Sequence, residues 1–141
     1  MCRSHATVRE LMGKLAEEVT GRTVTDLEAG LENFTRGTPR HADTLLIVLE
    51  PYYKSLETGR RIVELSRELG VPRILGVANK VRSKEDETAI RQFAESHQLE
   101  LAAVVPHDEA VLEADRQGRS PMDLFPAAPV VRAIQGLAAT L

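Results

Sequence analysis

The sequence predicts an α/β fold, a mostly parallel sheet with flanking helices. Three observations predict it. The runs Thr44–Leu49, Ile74–Ala78 and Leu99–Val105 are apolar, β-rich and do not alternate, the habit of strands covered on both faces. A segment with helical apolar periodicity follows each of them. Gly or Pro stands at four of the junctions, at Pro51, Gly70, Pro106 and Gly118. Strand, helix, strand, helix, strand, helix is the order that builds a parallel sheet.

The elements follow in order. Val8, Leu11, Met12, Leu15 and Val19 predict a first helix, with Thr7 and Glu10 as a capping box and Gly21 as its stop. Thr23-Val24-Thr25 is a short β-branched run ending at Asp26, and Leu27–Thr38 reads as loop. After the strand Thr44–Leu49, a helix carries Leu56, Ile62, Val63, Leu65, Ser66 and Leu69, with Ser55 as N-cap and Gly70 as C′ stop. After Ile74–Ala78 comes a helix over Glu85–His97, with Ile90, Phe93 and Ala94 inward. After Leu99–Val105 comes Asp108–Gln117, with Val111, Leu112 and Ala114 on one face. An Ala-rich helix over Val130–Leu141 ends the chain. Repeats, low-complexity tracts and linkers are absent, so residues 1–141 read as a single domain.

Composition narrows the class. Of 141 residues, 43% are hydrophobic and 28% charged, the balance of a globular chain. A net charge of −3 argues against a nucleic-acid binder. One cysteine excludes an internal disulfide framework. No apolar run approaches the roughly 20 residues of a membrane span. The N-terminus has no apolar signal core, so the expected location is the cytoplasm.

In a parallel sheet ligands gather beyond the C-terminal strand ends. The residues there are Asp26, Glu50, Asn79 with Lys80, and His107 with Asp108. Asp26, followed four residues on by Gly30, suits a loop that senses Mg²⁺ and phosphate; it equally suits an Asx-turn. The Asn79 amide can pair with a base edge while the Lys80 stem packs on the base face. The plainer reading is a capping Asn and a solvated Lys. Asp108 doubles as a helix N-cap. His41 and His97 read as surface residues, and His107 as a turn residue.

Order and spacing connect these groups. Asp-x-x-Ala-Gly, a later Asn-Lys, and then V-P-H-D-E-A-V-L-E-A-D-R-Q-G-R-S-P resemble the MinD/ParA/nitrogenase-iron-protein group of P-loop ATPases, of SIMIBI type. V-T-D-L-E-A-G-L-E-N-F-T-R-G-T and E-P-Y-Y-K-S-L-E-T-G-R-R-I look most like the ATPases that mature nickel carbon monoxide dehydrogenase. The resemblance runs from about Cys2 to Leu141. It implies the C-terminal portion of a CobQ/CobB/MinD/ParA-type nucleotide-binding domain. The family's Gly-rich loop with Lys and Ser/Thr has no match here, because Gly13-Lys14 lies within a helical pattern. The expected fragment therefore lacks the first strand and the P-loop. In that family the missing strand lies between the strand ending at Asp26 and Thr44–Leu49. Thr23–Thr25 would then shift to pair with Thr44–Leu49, stay unpaired, or take a strand from another chain.

The resemblance also implies roles. Asp26 would orient Mg²⁺ and its water, and Gly30 would sense the terminal phosphate of ATP. Asn79 would read adenine, Lys80 would pack on the base, and Pro106 and Asp108 would lie in the second base-contacting loop. Arg82 stands where guanine readers place a carboxylate, which favours adenine. Cys2 matches a Cys-x-Cys region whose thiolates collect a metal, Ni²⁺ or Zn²⁺, in a dimer; read alone, it is a free terminal thiol. The implied partners are a second copy or the missing N-terminal half, and carbon monoxide dehydrogenase or a similar nickel enzyme. The chain alone is expected not to hydrolyse ATP. The alternative is a non-catalytic α/β interaction module or a truncated relic.

Overall fold

The computed structural model describes residues 21–27, 34 and 38–141. After a 3₁₀ turn at Thr38–His41, the chain runs β1 (Thr44–Leu49), α1 (Tyr53–Glu68), β2 (Arg73–Val81), α2 (Lys84–Ser96) and β3 (Glu100–Pro106). Three helices follow: α3 (Glu109–Arg116), the short α4 (Pro121–Leu124) and α5 (Pro129–Thr140). The strands form one parallel sheet in the order β1-β2-β3. This is the predicted architecture. The helix predicted over Val8–Val19 and its Thr7–Glu10 capping box lie outside the described residues.

Both faces of the sheet carry apolar clusters. Leu45, Ile47, Leu49, Ala78 and Leu99 pack with Val63 of α1 and with Ile90 and Ala94 of α2. Val77, Val105 and partly buried Ala103 pack with Leu137 and Val130 of α5. Close packing depends on small residues. A Cβ on Gly59 of α1 would run into the Leu49 side chain. One on Gly76 of β2 would stand 2.7 Å from the Leu101 side chain. Gly70, at φ +75, ends α1 as predicted, since the left-handed region suits a residue without Cβ.

Several expectations need correction. β1 is only partly covered on its second face among the described residues: Leu45, Ile47 and Leu49 are buried on the first face, whereas on the second Leu46 packs partly buried against the α5 cluster and Val48 is 57% exposed. The reason is positional, because β1 is the sheet edge and α5 packs over β2 and β3. Of the three outcomes expected for Thr23–Thr25, the structure shows it unpaired among the described residues: it forms no strand, and Val24 is 90% exposed. Ser55 is not an N-cap. α1 starts earlier, at Tyr53, and Ser55 Oγ accepts a hydrogen bond from the Glu50 N–H at 2.9 Å. Ser83, not foreseen, caps α2 by accepting from the Asp86 N–H. Val111 and Leu112 are exposed, and only Ala114 of α3 is fully buried. His97 is half-buried, its ring stacked on Phe93 at 4.3 Å and its Nδ1 2.8 Å from the Phe93 carbonyl oxygen.

Candidate functional site

The C-terminal ends of the three strands bring six of the foreseen residues, Glu50, Asn79, Lys80, Pro106, His107 and Asp108, to one edge of the sheet. β1 and β2 run in register, Leu49 beside Ala78. Glu50 and Asn79 are therefore the next residues along two adjacent parallel strands. β2 continues past the predicted end at Ala78 and includes Asn79 and Lys80. On its other side Val81 pairs with Pro106, the last residue of β3. The His107 N–H then donates to the Val81 carbonyl at 2.9 Å. Asn79-Lys80 and Pro106-His107-Asp108 thus end side by side, although 26 residues of chain separate Lys80 from His107.

The backbone is irregular at this edge. From Ala78 to Val81 β2 takes three steps, while its partner takes two, from Val104 to Pro106. The extra residue makes a bulge, and Lys80 within it adopts φ +54. A side chain larger than Gly in this region costs about 1 kcal/mol or more, and such strain collects at functional sites. Bulges re-aim side chains. Here the Lys80 ammonium reaches the Glu50 carboxylate at 3.0 Å, across the ends of β2 and β1. Asn79 is half-buried beside this pair in sequence and Lys80 is exposed.

Asp108 is committed to the backbone. Its Oδ1 accepts from the Ala110 N–H at 3.0 Å and so caps α3. Its Oδ2 accepts from the Val130 N–H at 3.3 Å, in the first turn of α5. The carboxylate sits at two helix N-termini, a favourable position for negative charge. It shapes the loop after β3 with both oxygens. The half-buried His107 has Nδ1 4.0 Å from a carboxylate oxygen of exposed Glu109.

Asp26 is exposed on irregular chain. Gly30 and Cys2 lie outside the described residues. Among the described residues no group of three or more His, Cys, Asp or Glu side chains is placed to hold a metal ion. None of their helices is long and apolar enough to cross a membrane. The strand ends thus bring together the Asn79 amide, the Lys80 stem and the loop that Asp108 holds. Sequence reasoning missed the Glu50–Lys80 pairing. Its signal was available in the parallel register, since Glu50 directly follows β1 and Asn79-Lys80 continue β2 past the matching point.

No known family model matches the chain. The carbon monoxide dehydrogenase accessory protein CooC of Rhodospirillum rubrum is 39% identical over 127 residues, which is 90% of this chain and 48% of that protein. An uncharacterized ATP-binding protein of Methanocaldococcus jannaschii is 34% identical over 119 residues, 84% of this chain and 46% of that protein. The chain thus spans about half the length of the curated relatives it matches. The septum site-determining protein MinD of Pyrococcus horikoshii, solved in complex with Mg-ADP, matches the fold. Its TM-score is 0.76 at 20% identity, over 96% of this chain and 56% of that one. Strand order, strand-end residues and these likenesses agree: the chain is a homologue of CooC over about half of that protein's length, and its fold is that of the MinD/ParA P-loop ATPases.

Proposed function

We propose that this chain is the C-terminal, base-binding portion of an ATPase that inserts nickel into carbon monoxide dehydrogenase or a similar enzyme. The observation that carries the reading is the convergence of Asn79-Lys80 and Pro106-His107-Asp108 on adjacent strand ends. The 39% identity to an accessory protein of that dehydrogenase supports the client, and the ATP-binding relative supports the nucleotide. Asn79 reads the adenine edge, Lys80 lies on its face, and Pro106 with the loop held by Asp108 closes the other side. Asp26 orients Mg²⁺ and its water, and Gly30 senses the terminal phosphate. The triphosphate cradle takes several backbone amides and a lysine at a helix N-terminus, and no stretch of the sequence supplies that pattern. The 141-residue chain therefore binds through the base and does not turn ATP over. The site works in the cytoplasm, completed by an N-terminal half and paired with a second copy, with Cys2 offering a thiolate to Ni²⁺ or Zn²⁺.

Calorimetry with Mg-ATP and Mg-GTP tests the base reading. Tighter binding of ATP, weakened in Asn79→Ala by about 1–2 kcal/mol, is expected for one lost base hydrogen bond. Equal affinity for the two nucleotides overturns it. Nickel and zinc titrations of wild type and Cys2→Ser test the thiolate. Unchanged stoichiometry removes the metal role.

A further inference from the structure

We propose that Glu50 is a positioning residue for the nucleotide base: its carboxylate tethers the Lys80 ammonium and lays the lysine stem across the strand ends before ligand arrives. The inference rests on the reading of Asn79 and Lys80 as base-binding residues and adds to it a residue with no previous role. Glu50 is the anchored member of the pair. Its side chain is 23% exposed against 58% for Lys80. It follows the fully buried Leu49, and its N–H is held by Ser55 Oγ in the first turn of α1. Lys80 is the member that is aimed. Its left-handed backbone sits in a bulge pinned by Val81 beside Pro106 and by the His107 N–H on the Val81 carbonyl. A free lysine stem loses rotamer freedom when it packs on a ring, whereas a tethered one has lost it already. Pairing also cancels the ammonium charge locally. That suits a neutral heteroaromatic base and leaves the phosphate charge to be met elsewhere.

The test is calorimetry of Mg-ADP binding to the full 141-residue chain and to Glu50→Gln, Lys80→Gln, the double variant and Asn79→Ala. Glu50→Gln should weaken binding about two- to fivefold, the range of a partly exposed ion pair. The double variant should bind no more weakly than Lys80→Gln, because Glu50 acts only through Lys80. Raising the salt should shrink the difference between wild type and Glu50→Gln. Amide exchange in α1 should be unchanged in Glu50→Gln, since the bond to Ser55 comes from the Glu50 backbone. Normal affinity in Glu50→Gln, or losses that add in the double variant, overturns the tether while Asn79→Ala still weakens binding. If Mg-ADP does not bind, or Asn79→Ala leaves affinity unchanged, the base-site reading falls and the tether with it.

Discussion

The Asp108 carboxylate joins the N-termini of α3 and α5, accepting from the Ala110 N–H with one oxygen and, 22 residues along the chain, from the Val130 N–H with the other. This bond fixes where the loop after β3 stands relative to α5. Asp108→Ala leaves two helix N-termini uncapped. A loss of about 1–3 kcal/mol of stability is expected in thermal or urea denaturation. Asp108→Asn keeps one acceptor oxygen and should lose less. A variant with wild-type stability but weakened nucleotide binding would instead show that the carboxylate contacts ligand directly.

The same residue shows how much of the site could be read from sequence. Its N-cap role follows from local pattern, because Asp before a helical segment is a recurrent solution to orphan amides. Its bond to Val130 does not, since that contact arises only when α5 folds back over β3. The sheet was legible for a related reason: runs such as T-L-L-I-V-L declare a buried strand without tertiary information. That reading overreached at Val48, which shares the α5 face of the sheet with Leu46 and Val77 but lies beyond what α5 covers. The Lys80 bulge was not legible, because nothing in A-N-K-V signals a left-handed lysine. The bulge exists as a mismatch between two strands.

Gly59 should tolerate no side chain. Its position faces Leu49, fully buried at the end of β1, and an added Cβ would overlap the Leu49 methyl. Gly59→Ala gains helix propensity of up to about 1 kcal/mol, yet overpacking costs about 1–3 kcal/mol. Net destabilisation is expected. Leu49→Ala on its own should destabilise, by about 2–5 kcal/mol. In the double variant the alanine at 59 should no longer be harmful, so the two changes should couple strongly in a double-mutant cycle. Additive effects would show that α1 moves aside.

The α1 surface should lose stability in acid. Glu57 is held down to a pKa of about 2 from 4.5 by its hydrogen bonds to Arg60 and Arg61. Arg60 in turn is held above its ordinary value by Glu57 and Glu64. A depressed folded-state pKa means a contribution present above the unfolded value and lost as pH falls through the folded one. The window therefore runs from about 4.5 down to about 2. Urea midpoints measured from pH 6 to 2.5 should fall less steeply in Glu57→Gln than in wild type. High salt should narrow the difference, because the cluster is exposed. Parallel curves would remove the cluster from the acid response.

The open side of β1 should govern both exchange and association. β1 has a partner only on its β2 side among the described residues, and its outer face shows Val48. β2 is paired on both sides, and its Leu75, Val77 and Ala78 are buried. Amides of β1 that do not bond β2 should therefore exchange orders of magnitude faster than those of β2, as unpaired strand edges do. Thr23–Thr25, exposed and in no ladder, should exchange at nearly the free-chain rate. An apolar parallel edge without Pro or a charged residue is also a template for another strand. The purified chain should self-associate with rising concentration, and β1 amides should gain protection as it does. Val48→Lys places a charge on the exposed face and should shift the chain toward monomer without loss of stability. Hydrogen exchange by mass spectrometry beside analytical ultracentrifugation checks both. Uniform protection across β1 and β2 in a strict monomer would mean that another segment already occupies the edge, and association through β1 would then be excluded.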